Sequence, residues 1–197
     1  MLMTAASRIQ YLQSRIAEYE DQYAYKELFT SLYSYLYHFA FSFVKSKQSA
    51  EEVLSDVFIK IWEKRTDLGK IANLKVYLYV ATRNMALNYV EKQKRDATHN
   101  IDDFTTGMKS FYFDPEQLMI TAEMITLIQK AINSLPPKCK LVFKLIKEDG
   151  LKYKEVAEIM NISIKTVENH LAIALKKISS AVDFDISRTI PALGHSR

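Results

Sequence analysis

A chain of 197 residues, 48% hydrophobic and 25% charged, has the make-up of an ordinary soluble globular protein and can form one large domain or two small ones. Its one cysteine, Cys139, excludes an internal disulfide and fits a reducing cytoplasm. The net charge of +4 is mild, but Lys138–Lys177 holds nine lysines against five acids and carries all of the excess, a bias that suits a polyanion partner.

In chain order, residues 1–19 contain Arg8, Arg15 and Glu18 and lack an apolar core long enough for a signal peptide. They are expected to form a frayed N-terminal extension. From Glu20 to Lys47 no turn signal interrupts the chain. Inside this run, "LYSYLYHFAFSFV" alternates aromatics like a strand, at Tyr33, Tyr35, Tyr37, Phe39, Phe41 and Phe43. Leu28, Leu32, Leu36 and Ala40 nevertheless fill an i+4 row, and the length favours a helix that is apolar nearly all round and buried. Thr30, Ser31, Ser34, His38 and Ser42 interrupt the apolar run, which argues against a membrane span.

The next helix, "SAEEVLSDVFIKIWEK", has Ser49 as a candidate cap, with Val53, Val57, Ile61 and Trp62 inward. Glu51, Glu52 and Asp56 set three carboxylates on or near one exposed face. No His or Cys stands close by in sequence, so solvation or partner docking suits this face better than acid–base or metal chemistry. After Gly69, "NLKVYLYVATRNMALNYVEKQKR" predicts a helix that carries Lys75, Tyr77, Tyr79, Arg83, Asn84, Lys92, Lys94 and Arg95. Stacking faces, an amide and cations in one helix match single-strand nucleic-acid binders, with ordinary core packing as the alternative for each tyrosine.

The stretch around 96–115 mixes charges, Thr, Asn, Asp and Gly without a period, and is too long for a loop inside one domain. The expected architecture is therefore all-α: two helical domains, 20–95 and 116–182, joined by a flexible linker, with residues 183–197 as a tail that has no clear helical pattern.

In the second domain, Leu118, Ile125, Ile128 and Ile132 mark one amphipathic helix. Pro137 opens another, with Leu141, Val142, Leu145 and Ile146 inward up to Gly150. "YKEVAEIM", the turn "NIS" and a longer helix with Val167, Leu171, Ala174, Leu175 and Ile178 inward then form a helix-turn-helix. Ala157 is small where the helices cross, Asn161 tolerates a left-handed turn, and Ser163 can cap the second helix. Glu168, Asn169 and His170 together could suggest a metal or catalytic trio. At the start of such a helix they, with Lys165 and Thr166, are better placed to enter a DNA major groove, and Lys176 and Lys177 to meet phosphates. The histidines at 38, 99, 170 and 195 show no ligand spacing, and no nucleophile–base pair or phosphate-cradling loop is visible. No enzyme activity and no cofactor are expected.

Residues 20–182 as a whole resemble a bacterial RNA polymerase sigma factor of the sigma-70 family, extracytoplasmic-function group. "AEEVLSDVFIKIW" is similar to that family's polymerase-docking helix. "YLYVATRNMALNYV" resembles its −10 element helix, with Arg83–Asn84 at the usual Arg-Asn pair. "LPPKCKLVFKLIKEDGLKYKEVAEIMNISIKTVENHLAIALKKI" resembles its −35 element domain. The resemblance implies that Glu51, Glu52 and Asp56 dock on the β′ clamp helices of core RNA polymerase, and that the β flap is a further contact. It also implies that the loop Thr66–Asn73, with Asn84, captures a flipped base of the melted −10 strand. Ser163, Lys165, Thr166, Glu168, Asn169, His170, Lys176 and Lys177 would touch the −35 duplex, and the linker would run near the polymerase active-site channel. A membrane-associated anti-sigma factor is the implied regulator; direct membrane insertion is not. Asn88 replaces the family's frequent Asp and Lys165 its common Gly, so base preference does not carry over. "KTVENH" is also close to the recognition helix of LuxR-like response regulators, which need a receiver domain of alternating strands and helices; residues 1–115 show no such alternation. A helical adaptor without DNA binding is the other alternative.

Overall fold

A computed structural model describes residues 4–96 and 122–189. Their regular structure is helical, with no strand among the described residues, and it divides into two compact units. No described helix is long and apolar enough to cross a membrane.

The first unit is built from α1 (Ala5–Tyr19), α2 (Gln22–Val44), α3 (Lys47–Glu63), a 3-10 turn (Arg65–Lys70) and α4 (Leu74–Asp96). Side chains cap the first three helices: Thr4 accepts from Ser7 N, Asp21 from Tyr23 N and Ala24 N, and Ser46 from Ser49 N. The cap of α3 is therefore Ser46 and not Ser49, whose hydroxyl is buried and hydrogen-bonded to the Tyr89 hydroxyl at 3.0 Å. The expectation of a frayed N-terminal extension also fails for the described residues 4–19. Leu12 and Ile16 of α1 are buried, and the helix packs on α2 and the 3-10 turn.

The aromatic run does form a helix. Its i+4 row, Leu28, Leu32, Leu36 and Ala40, faces the core, and α3 and α4 pack on it. The helix is less buried all round than its composition suggests. Tyr33, Tyr37 and Phe41 stay half-buried with their rings stacked in succession at 6.0 and 6.4 Å, and Tyr35 is exposed.

The second unit is built from α5 (Ala122–Asn133), α6 (Pro137–Lys147), the main part of α7 (Tyr153–Met160) and α8 (Ile164–Thr189). Pro137 stands at the start of α6, where a missing N–H costs nothing. Gly150 ends the next turn with φ +66°, and Leu151 N donates back to Leu145 O at 3.0 Å. Helix α8 packs on α5 and α6 around Ile132, Val142, Leu145, Val167, Leu171 and Ala174. Leu175, expected inward, is 44% exposed, because one residue beyond Ala174 turns it about 100° off the stripe. The tail expectation changes too, since helical backbone continues to Thr189. Most of the expected linker, Leu118, and the tail from residue 190 lie outside the described residues.

Beyond the last turn of α6, Glu148 is half-buried and its Oε1 has no hydrogen bond. Burial pushes its carboxyl from 4.5 up to about 6; Asp149 adds to this, while Lys144, 3.8 Å away, and Lys140 oppose it. The folded-state value lies above the unfolded one, so this group's contribution to stability is fully present below about pH 4.5 and is lost as pH rises through about 6. Glu148→Gln is therefore expected to raise the melting temperature at pH 7.5 but not at pH 4. The gain is at most about 2 kcal/mol, because the Lys144 pairing is lost with the charge. Paired thermal melts at the two pH values check it.

Candidate nucleic-acid interface

Three surfaces emerge from these helices, and the first is acidic. On α3 the side chains of Val53, Leu54, Val57, Phe58 and Ile61 are buried, which turns Glu51, Glu52 and Asp56 to solvent. None of the three joins an ion pair among the described residues. Ile59 stands beside them, 55% exposed.

The second surface lies on α4 and the segment before it. The expected loop at Thr66–Asn73 is for the most part a 3-10 turn. Thr66, Asp67, Gly69, Lys70, Ala72 and Asn73 are exposed while Leu68 is buried beneath them. Asn73 holds the start of α4: its Oδ1 accepts from Val76 N at 3.2 Å and its carbonyl from Tyr77 N at 3.0 Å.

The aromatic pair on α4 separates. Tyr77 is 39% exposed, but Tyr79 is fully buried, edge-on to Phe39 at 5.1 Å. Two residues along a helix are turned by about 200°, so the two tyrosines cannot share a face. Tyr79 is therefore core and is withdrawn from the contact set. Lys75 is half-buried, with its ammonium 6.0 Å from the Tyr35 ring centre. Arg83 reaches the Asn84 side-chain oxygen at 3.4 Å. Lys92, Lys94 and Arg95 are exposed, the last 3.8 Å from Glu91.

The third surface is the helix-turn-helix of α7 and α8. Asn161 adopts the left-handed conformation, φ 54°, that closes the turn. Ser163 caps α8, its Oγ accepting from Thr166 N at 3.0 Å and lying 2.8 Å from the Thr166 hydroxyl. Both hydroxyls are thus engaged in holding the helix start. Val167 and Leu171 are buried, which leaves Lys165, Glu168 and Asn169 exposed in the first turns, Lys165 and Glu168 paired at 3.2 Å. His170 is half-buried, and its Nδ1 lies 3.4 Å from the thiol of buried Cys139 on α6.

Two lysines of the basic segment are used inside the unit. Lys140 is buried, donating to Asn133 Oδ1 at 2.8 Å, and Lys177 donates to Ser134 O at 2.6 Å, tying α8 to the end of α5. Lys176 remains an exposed cation. Sequence spacing alone could not reveal the Cys139–His170 contact, because 31 residues separate the partners. Helix α1 did leave a signal, Ile9, Leu12 and Ile16 at helical spacing.

A helical unit with an acidic helix and an aromatic–basic helix, followed by a second helical unit with an exposed recognition turn, is the organisation of a DNA-binding transcription protein. Comparison with known families sharpens that class. Residues 28–96 match "Sigma-70 region 2" and residues 125–178 match "Sigma-70, region 4". The chain belongs to the sigma-70 family, in its extracytoplasmic-function group, and is a promoter-recognising transcription initiation factor. The region 2 match also displaces the response-regulator alternative. The chain is 28% identical to the ECF RNA polymerase sigma-E factor of Escherichia coli strain K12 over 139 residues, 66% of this chain and 72% of that one. Against the same factor of Haemophilus influenzae it is 24% identical over 144 residues, 70% and 76% of the two chains. Among solved structures, the sigma factor RpoE in complex with the anti-sigma factor NepR from Bartonella quintana shares the fold. Its TM-score is 0.57 at 21% identity, covering 81% of this chain and 97% of that one. CnrH in complex with the cytosolic domain of CnrY gives 0.56 at 18% identity, covering 90% and 99%.

Proposed function

We propose that the chain docks on core RNA polymerase through Glu51, Glu52 and Asp56, reads a melted −10 strand with α4 and the turn before it, and reads the −35 duplex with the start of α8. The observation that carries this reading is the capped first turn of α8, where Lys165, Glu168 and Asn169 stand exposed in the unit that matches region 4. In the −10 set, Tyr77 and Asn84, seven residues apart and exposed on one face of α4, meet the bases, while Lys75 and Arg83 on another side of the helix join Lys92, Lys94 and Arg95 in supplying charge along the strand's backbone. The β′ clamp helices and β flap are the proposed polymerase contacts. The protein works in the cytoplasm and the polymerase supplies the chemistry. The domain limits proposed for these roles are 20–95 and 116–182, now with α1 added to the first. An anti-sigma factor is the proposed regulator, in keeping with the complexes of the two similar structures.

Transcription with core polymerase on the genome's own DNA, with start sites mapped, tests the reading. Transcripts that share two spaced elements are expected; no promoter-dependent transcript would overturn it.

The −35 contacts split by chemistry. Lys176→Ala is expected to weaken duplex binding uniformly across sequences and to reduce the salt slope by about 1. Asn169→Ala should instead relax preference at one base position, at a cost of about 1–3 kcal/mol, with the salt slope unchanged. Salt titrations against promoter and scrambled duplexes separate the two.

A further inference from the structure

Gln13 is a polar side chain in an otherwise apolar place. It lies on the inner side of α1, one residue after buried Leu12, and is itself only 7% exposed. Its amide nitrogen donates to Leu68 O at 2.6 Å and to Ile71 O at 2.7 Å. Both amide hydrogens are thus used, and both acceptors belong to the 3-10 turn and the residue that follows it. The same turn is held at its beginning, where Arg65 pairs with Glu20 at 3.0 Å just past the end of α1. Between the two clasps, α1 passes close to the turn: a Cβ on Gly69 would meet Ala17 Cβ at 3.9 Å.

A short 3-10 turn holds itself poorly, because its internal hydrogen bonds are few and badly aligned. Here the bond from Ile71 N to Leu68 O closes the last turn, and Gln13 adds a second donor to that same carbonyl. The amide also ties Ile71, two residues before the Asn73 cap of α4. The exposed residues Thr66, Asp67, Gly69, Lys70, Ala72 and Asn73 therefore sit on a backbone whose course is set from α1.

We propose that Gln13 is a positioning residue for −10 recognition, its amide holding the Arg65–Asn73 segment in the shape that receives an unstacked base. This rests on the proposal that this segment captures that base, and extends the promoter-reading surface to a helix that has no part in it by sequence. A flipped base is bound only if the cost of unstacking is offset by contacts already in place. A segment free to shift loses that advantage even when every contacting side chain is intact.

The test uses the full-length chain and the single-stranded −10 segment of a promoter mapped as above, with a scrambled strand as reference. Gln13→Met keeps length and fills the site but donates nothing. It is expected to lower the ratio of specific to scrambled binding about tenfold, with −35 duplex binding unchanged. Leu12→Ala, which removes packing from the same helix, is expected to lower the melting temperature yet keep that ratio, measured well below the transition. Wild-type discrimination in Gln13→Met, or an equal loss in Leu12→Ala, overturns the proposal. A double variant, Thr66→Ala with Lys70→Ala, distinguishes the underlying reading. If it leaves discrimination intact, base capture by this segment is wrong, and Gln13 has nothing to position. If it loses discrimination while Gln13→Met does not, only the role of Gln13 falls.

Discussion

Exchanging Glu51 and Asp56 together for lysine is expected to weaken binding to core polymerase by at least tenfold while −35 duplex binding by the same full-length protein stays unchanged. The two carboxylates stand exposed on α3 outside any ion pair among the described residues, so their reversal breaks no internal contact of that kind. A surface that complements three carboxylates is basic, and two reversed charges convert attraction into repulsion at each site, which slows association and costs affinity. The effect should shrink as salt screens the surface. Titration of labelled core polymerase at low and moderate salt, beside a −35 duplex titration, checks both halves. Loss of both activities, or of neither, would contradict a division of labour between the units.

The second large effect separates two tyrosines that sequence reading treats alike. Tyr79→Ala opens a cavity against Phe39 and is expected to destabilise the first unit by about 3–4 kcal/mol, a fall in its melting temperature on the order of 15 °C. Tyr77→Ala removes a half-exposed ring and should change stability by no more than about 0.5 kcal/mol. It should weaken binding to the melted −10 strand by about 1–3 kcal/mol, the usual worth of one stacked base. Thermal melts and strand-binding titrations on both variants are enough. A stable Tyr79→Ala protein with impaired strand binding would return Tyr79 to the contact set.

The same pair shows where sequence reading stops. Composition identifies both residues as stacking rings on one helix, but their inward or outward sense depends on which stripe of α4 meets α2. That stripe is hard to see in a helix rich in aromatics and long cationic side chains. The acidic face of α3 was legible because its apolar positions repeat cleanly, and so was the helix-turn-helix, whose cap, left-handed turn and apolar anchor are all local features. Ser46 and Ser49 show the opposite case: either hydroxyl suits a cap by residue type, Ser46 takes the role by accepting from Ser49 N, and Ser49 turns its hydroxyl to Tyr89, 40 residues on.

Local pattern by itself determined the helical class, the break into two units and the recognition turn, because hydrophobic period, capping and turn chemistry act within a few residues; the family was legible only as a resemblance of whole motifs in order along the chain, which the region 2 and region 4 matches bear out. Tertiary structure alone decided that α1 belongs to the first unit, that Tyr79 and Lys140 are buried, that exposed Lys177 is tied to Ser134 O, and that Gln13 grips the Arg65–Asn73 segment. Each of these depends on groups 7 to 58 residues apart. A buried polar side chain takes its meaning from the partner that satisfies it, and that partner is known only once the helices have packed.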